Sequence, residues 1–166
     1  MSHNYEYIYL IKRGKKGNDY NEFNKTKNIK VIDKIIEHNI KLTYWKIKDT
    51  KLYERILLII FEKYIKKKYG YPIIICFNND LIIYLIYSLI EFFSDNNKHK
   101  LLKKFYKLNN NNYIPIYLWN FLFKKLNEKY PEIIKEINNK NKLYNKYNFN
   151  LFLSKYIEKK KNLYLY

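Results

Sequence analysis

Lysines interleaved with aromatic side chains recur along the sequence, in NKTKNIK, YWKIK, KYIKKKYGY, HKLLKKFYK and KYIEKKKNLYLY. Lysine ammonium groups pair with phosphates, and tyrosine or tryptophan rings can stack on bases. The recurrence of this pattern predicts contact with DNA or RNA. The predicted nucleic-acid-binding residues are Lys25, Lys27, Lys30, Trp45, Lys46, Lys48, Lys66, Lys67, Lys68, Lys159, Lys160 and Lys161.

The net charge favours the same partner. The chain of 166 residues carries 33 Lys and Arg against 15 Asp and Glu, a formal charge of +18. A coding sequence rich in A and T explains much of the Lys, Asn, Ile and Tyr, and any single lysine patch is equally well explained that way. Such a sequence supplies acidic residues too, so the overall excess favours a polyanion. Because Arg is scarce, we expect contacts to the sugar-phosphate backbone with little base reading.

Patterns typical of other chemistry are missing from the sequence. The segment GKKG lacks the spacing and the Ser or Thr of a phosphate-binding loop, and no zinc-ligand spacing occurs. The single cysteine, Cys76, lies in the apolar run PIIICF, where packing is the expected role and a reducing compartment is permitted.

The sequence predicts an intracellular protein that does not span a membrane. Its N-terminus has too short an apolar stretch for a secretory signal. The most apolar segment, LIIYLIYSLIEFF, contains Glu91 and is shorter than the roughly 20 residues that a membrane-spanning helix needs. We therefore expect it to form a buried helix.

The first part of the chain reads as a mixture of strands and helices. Residues 5–12 predict a strand followed by a loop, and NIKVIDKIIEHN predicts a short amphipathic helix capped by Asn28. KLTYWKIK predicts a second strand, and a long helix is expected from Asp49 or Thr50 to about Lys68. GYPIIICF reads as extended, and Asp80 is expected to cap the apolar helix after it.

From His99 onward the pattern becomes helical. LLKKFYKL, IYLWNFLFKKLNEKY, a segment that opens at Pro131 and the final LFLSKYIEKKK each predict a helix, whereas NNNNYIP and NNKNKLYNKYNFN read as irregular. We thus predict an α+β module over residues 1–95, with a small antiparallel sheet and flanking helices, and a basic all-helical extension over 96–166. The predicted core is Ile8, Leu10, Ile32, Ile35, Trp45, Ile47, Leu52, Ile56, Ile60, Ile75, Ile83, Ile86, Ile90, Trp119 and Leu122.

The order of elements in the first 95 residues, together with three local segments, resembles the GIY-YIG nuclease module. YIY at 7–9 is similar to the first motif of that family, although Tyr7 stands where a glycine is expected. EFNKTKN is similar to the second motif, with Asn24 in place of its glycine and Thr26 retained. The segment KLYERILLIIFEKY is the closest match and is similar to the long helix that carries the family's metal-binding glutamate.

The resemblance implies a metal-dependent endonuclease that uses Mg²⁺ or Mn²⁺. It implies Tyr9 as the catalytic tyrosine, Glu54 as the metal ligand and, in the place of the family's arginine, Lys34 or, in another register, an aliphatic residue. These three side chains would have to converge in one groove. Because the glycines, the second tyrosine and the arginine are replaced, the resemblance implies a degenerate module that binds nucleic acid with weak or no cleavage.

Each of these residues also has an ordinary structural interpretation. Tyr9 alternates with Tyr5 and Tyr7 on one side of a strand and fits a packed aromatic row. Glu54 fits a charge on the solvated side of an amphipathic helix.

Two other functions are compatible with the composition. A structural RNA-binding subunit of a ribonucleoprotein, such as an organelle-encoded ribosomal protein, would suit the basic C-terminal part. A protein-interaction module would instead use its aromatic helices, and its affinity would be insensitive to salt.

Overall fold

The computed structural model describes residues 6–14, 20–38, 40–67, 72–108, 113–137 and 144–164. The chain divides into two compact units, Met1–Ser94 and Asp95–Tyr166. The predicted Lys68 lies outside the described residues, as do the side chains of Lys67 and Lys161.

The first unit contains an antiparallel sheet with strand order β3-β1-β2-β5-β4. Its strands are β1 Glu6–Arg13, β2 Tyr20–Thr26, β3 Leu42–Ile47, β4 Ile65–Lys67 and β5 Ile73–Ile75. Three helices accompany the sheet: α1 Ile29–Glu37, α2 Thr50–Ile60 and α3 Asn79–Phe93. This architecture confirms the predicted α+β class with a small antiparallel sheet and flanking helices.

Helices cover the two faces of the sheet unequally. Tyr9 and Ile11 of β1 pack with Ile32 of α1, so we call this side the α1 face. Neighbouring residues of a strand point to opposite faces, so Ile8 and Leu10 lie on the other side, where both are fully buried.

Contacts from β2 and β3 place two helices on that other side. Trp45 is paired with Ile8 across the strands and packs edge-on against Tyr87 of α3, with ring centroids 5.7 Å apart. Lys25 is also paired with Ile8, and its ammonium group contacts a carboxylate of α2. We call this side the α2–α3 face.

Helix α1 begins and ends where the sequence indicated. The Asn28 side chain accepts a hydrogen bond from the backbone N–H of Lys30, and His38 is the C-cap residue. A side-chain oxygen at the N-cap satisfies one of the amides that lack a partner within the helix, which is why the local sequence was informative here.

The prediction for the second helix was correct at its start and wrong at its end. Asp49 is the N-cap residue, in a left-handed conformation with φ of 55°, which Asp adopts at lower cost than most residues. The helix ends at Ile60, and a short 3₁₀ turn over Glu62–Tyr64 leads into β4. Lys66 therefore lies in an edge strand instead of a last helical turn, because Ile65 pairs with Ile75 of β5.

The third helix is capped two residues earlier than predicted. Asn78, and not Asp80, is its N-cap residue, and its side chain accepts from the backbone N–H of Leu81. Of the core residues predicted on this helix, Ile86 is buried, whereas Ile83 and Ile90 are only half-buried. Ile35 is half-buried too, and the other predicted core residues are buried.

In its described part, the second unit is helical, with α4 Asn96–Leu108, α5 Ile116–Lys129, α6 Pro131–Ile137 and α7 Lys146–Tyr164. Pro131 opens α6 as predicted. The expectation that the chain is irregular as far as Asn150 was wrong, because α7 begins at Lys146. Asn145 accepts a hydrogen bond from the backbone N–H of Asn148 at 2.9 Å, and the next residue, Phe149, is fully buried.

Among the described residues, the helices are too short or too polar for any of them to cross a membrane.

Candidate nucleic-acid interface

The predicted nucleic-acid-binding lysines are mostly exposed in the first unit. Lys27, Lys30, Lys46, Lys48 and Lys66 are all in the exposed class. Lys25 differs: its ammonium group lies 3.5 Å from the Glu54 carboxylate, and both side chains are about four-fifths buried. Lys25 therefore joins β2 to α2, and we do not place it in the interface.

A row of three residues crosses the sheet on the α1 face. Tyr7 of β1 is paired with Lys46 of β3 on one side and with Thr26 of β2 on the other. Adjacent strands lie about 4.8 Å apart, so Lys46 and Thr26 are separated by about 10 Å. This row places a cation at the edge of the sheet and a half-buried tyrosine at its centre.

The next row brings a second aromatic side chain to the same edge. Tyr44 of β3 is paired with Tyr9, and its side chain is 45% exposed. Its ring lies 6.4 Å from the ring of Tyr7, at an interplanar angle of 53°. The edge strand thus presents an exposed tyrosine directly beside the Lys46 row.

Two further lysines follow the row along the chain. Lys27 comes directly after Thr26, and Lys30 lies in the first turn of α1. The helix packs on the same face through Ile32, which contacts Tyr9 and Ile11. We define the aromatic–lysine surface as Tyr7, Thr26, Lys27, Lys30, Tyr44 and Lys46.

Among the described acidic side chains of this unit, Asp33 comes close to the surface, one helical turn after Lys30 on α1. Glu22 is paired with Ile11, two rows further along, and forms an ion pair of 2.8 Å with Arg13. Asp33 and Glu37 occupy the later turns of α1. Glu6 points to the α2–α3 face, where it accepts a hydrogen bond from the Thr50 hydroxyl at 2.7 Å. The aromatic–lysine surface thus carries three exposed lysines, with the Asp33 carboxylate one helical turn from Lys30.

Trp45 must be removed from the predicted interface. It is only 7% exposed, because it points to the α2–α3 face and packs against Tyr87. Trp45 was predicted both as a core residue and as a nucleic-acid-binding residue, and these roles exclude each other. Its burial supports the core assignment. Its neighbour Tyr44 points the other way and is the ring that can reach a ligand. The sequence signal was the YWKIK patch, which contains both residues but cannot decide which of them faces solvent.

The structure does not bring the suggested catalytic residues together. Tyr9 lies on the α1 face, whereas Glu54 contacts Lys25 on the α2–α3 face. Lys34 is exposed on α1. Because the sheet separates Tyr9 from Glu54, these two side chains cannot act on one phosphodiester group in this fold.

The environment of Tyr9 also opposes a role as a base. Its ring is 7% exposed and packs with Ile11 and Ile32. Burial raises the pKa of the Tyr9 phenol, and the negative charge of Glu22 raises it further. The phenol therefore stays protonated at neutral pH, as expected of a residue in a packed aromatic row.

The residues around Glu54 do not suit a divalent metal ion. Hard cations such as Mg²⁺ take several oxygen ligands, whereas the Glu54 carboxylate forms an ion pair with the Lys25 ammonium group. Within the described residues, no group of three or more His, Cys, Asp or Glu side chains could hold a metal ion. In this structure the Glu54 carboxylate is therefore held by a lysine.

A small pocket lies at the opposite end of the sheet. It has a volume of about 320 Å³, and its lining residues are Leu10, Lys12, Lys41, Leu42, Thr43 and Asn79. Asn79 donates a hydrogen bond to the side chain of the buried Asn21, which in turn donates to the carbonyl of Phe77. These bonds fix the start of α3 against β2 and give the polar side of the pocket a structural role.

The predicted lysines of the C-terminal helix make contacts within their own unit. The Lys159 ammonium group lies 3.0 Å from the Glu136 carboxylate of α6, and that of Lys160 lies over the Tyr156 ring at 5.6 Å. Both side chains are half-buried. They stabilise the packing of α7, which makes them weaker candidates for phosphate contact than the exposed lysines of the first unit.

Comparisons with protein-family models, with curated proteins and with solved structures found no match for this chain.

Proposed function

We propose that the protein binds nucleic acid through the sugar-phosphate backbone, with the aromatic–lysine surface as the principal contact, and that it does not cleave what it binds. The observation that carries the proposal is the row of Lys46, Tyr7 and Thr26 across the sheet, beside the exposed Tyr44 and followed along the chain by the exposed Lys27 and Lys30. Lysine supplies point charge without the planar fork that reads base edges. The expected binding is accordingly strong at low salt and nearly independent of sequence.

Salt dependence tests this proposal directly. We expect the logarithm of the association constant for duplex DNA to fall with the logarithm of salt concentration with a slope of roughly −5, if about six phosphates are neutralised. Fluorescence anisotropy of a labelled duplex, titrated at several salt concentrations, measures the slope. A slope near zero, or no binding at about 50 mM salt, would refute the proposed function.

We further propose that the GIY-YIG resemblance concerns the scaffold alone. The chain order β1-β2-α1-β3-α2 is compatible with such a scaffold, whereas the separation of Tyr9 from Glu54 and the Lys25–Glu54 ion pair oppose its chemistry. Phosphodiester hydrolysis needs an activated water and stabilisation of the developing charge at one phosphate. Tyr9 and Glu54 do not meet that requirement, because they lie on opposite faces of the sheet.

Incubation with labelled DNA and RNA in Mg²⁺ or Mn²⁺ should therefore leave both substrates intact. The matched variants are Glu54→Ala and Glu54→Gln, which remove the carboxylate with different changes in packing. We expect the parent protein and both variants to bind without cutting. Cleavage by the parent that disappears in both variants would show that Glu54 is catalytic and that the proposal undervalues the resemblance.

The alternative of a ribonucleoprotein subunit receives less support. It was favoured by a basic C-terminal part expected to lie along RNA, but residues 95–166 form a compact unit with a buried core that includes Trp119, Leu122 and Phe149. Two of its predicted RNA-contacting lysines, Lys159 and Lys160, interact within the unit. Co-sedimentation with ribosomal particles would favour the alternative.

A further inference from the structure

The exposure of Tyr44 is unusual within its own sheet. The aromatic side chains next to it, Tyr9 in the adjacent strand and Trp45 in its own strand, are each 7% exposed, whereas Tyr44 is 45% exposed. Its position on β3, at an edge of the sheet, places the ring beside Lys46 and on the same face as α1. A tyrosine in this position adds little to the core and is available to a ligand.

We infer that the aromatic–lysine surface binds single-stranded nucleic acid, with an unpaired base stacked on the Tyr44 ring. The inference rests on the proposed function and names its substrate class. Lys46 contacts the phosphate next to the stacked base, and Lys27 and Lys30 contact the backbone further across the sheet. Stacking of this kind tolerates any base, because every base has a flat aromatic face.

The geometry favours a single strand over a duplex. In a duplex the faces of the bases are covered by their neighbours, and only their edges are accessible in the grooves. A ring on a flat sheet face cannot reach a base face unless the base is unpaired. The 53° tilt between Tyr7 and Tyr44 also means that Tyr7 does not cover the Tyr44 ring as a parallel stacked ring would.

The charge around the ring favours nucleic acid over an apolar protein partner. Lys46 lies one row from Tyr44, and the exposed Lys27 and Lys30 follow Thr26 along the chain, Lys30 in the first turn of α1. Asp33 lies one turn from Lys30 on α1, whereas Glu22 and Glu37 lie further along the face. A polyanion with exposed bases complements both features of the surface.

The test compares binding of labelled oligo-dT, oligo-U and a duplex of the same length to the parent, Tyr44→Ala, Tyr44→Phe and Tyr147→Ala proteins. Tyr147 is an exposed tyrosine of the second unit, at 69% exposure, and serves as the matched control. We expect Tyr44→Ala to lower single-strand affinity by about tenfold or more, the usual consequence of losing one base–aromatic stack. Duplex affinity should be unchanged, and Tyr44→Phe and Tyr147→Ala should behave like the parent. Circular dichroism establishes that each variant is folded.

A second measurement does not depend on a variant. Ultraviolet crosslinking of oligo-U carrying 4-thiouridine, followed by mass spectrometry, should place the crosslink on the peptide that contains Tyr44. Equal single-strand affinity of the parent and Tyr44→Ala, with duplex binding intact, would overturn the inference and leave the proposed function standing. A crosslink only to peptides of the second unit would overturn it as well. Failure of the parent to bind any of the three probes would remove the proposed function and the inference with it.

Discussion

Replacing Lys27, Lys30 and Lys46 together by glutamate is expected to lower the affinity for nucleic acid by about 100- to 500-fold at about 0.1 M salt. The estimate follows from counterion release: each phosphate contact changes the slope of log K against log salt by about 0.9 for a duplex and about 0.7 for a single strand. Lys46 is paired with Tyr7, Lys27 and Lys30 follow the Tyr7 partner Thr26 along the chain, and each of the three lysines is exposed. Their replacement should therefore reach the interface without disturbing the core.

The matched control replaces three exposed lysines elsewhere, Lys51, Lys124 and Lys135, by glutamate. Both triple variants change the net charge equally, so any difference between them reports on location and not on the overall field of the protein. Fluorescence anisotropy across a series of salt concentrations should show a slope reduced by about two to three units in the first variant alone. Equal losses in the two variants would mean that binding is spread over the whole basic surface.

Replacing Ile56 by alanine is expected to lower the free energy of unfolding of the first unit by about 2–5 kcal/mol. Ile56 is fully buried on α2, and its loss leaves a cavity that the surrounding Ile and Leu side chains fill only in part. The matched control is Ile36→Ala on α1, a position that is 48% exposed. There the same change of side chain should cost well under half as much.

The measurement must report on one unit at a time. Tryptophan fluorescence can do this, because each unit contains one tryptophan. In a Trp119→Phe background, the fluorescence of Trp45 during urea unfolding follows the first unit, in which Trp45 is buried against Tyr87. Variants should differ in the midpoint and share the slope. A destabilisation of less than 1 kcal/mol by Ile56→Ala would contradict the placement of α2 on the sheet.

The local sequence alone was enough to predict where some helices begin. Asn28 caps α1 and Pro131 opens α6 as predicted, because capping and the fixed φ of proline depend only on the residues at hand. The α+β class of the first unit and the helical character of the second were predictable for the same reason. Most of the predicted core was correct, since long apolar side chains are buried wherever the chain allows it.

Features that depend on strand pairing between distant segments could not be predicted from local sequence patterns. The pattern around Tyr20–Thr26 did not indicate a strand, and only the resemblance suggested one, because its polar residues become a strand through pairing with β1 and β5. The helix that begins at Thr50 was expected to reach Lys68, yet the chain leaves it after Ile60 so that Ile65 can pair with Ile75. In both places tertiary pairing overrides local propensity.

The residues of the candidate site depend on which side chains point to each face of the sheet. Alternation along β3 showed that Tyr44 and Trp45 point in opposite directions, but only the packing of α3 determined that Trp45 is the covered one. The same two-residue period placed Tyr9 on the α1 face and Lys25, with its partner Glu54, on the other. The sequence therefore determined which residues alternate, while the tertiary structure determined which of them face solvent, because helices cover a sheet through contacts that no local pattern encodes.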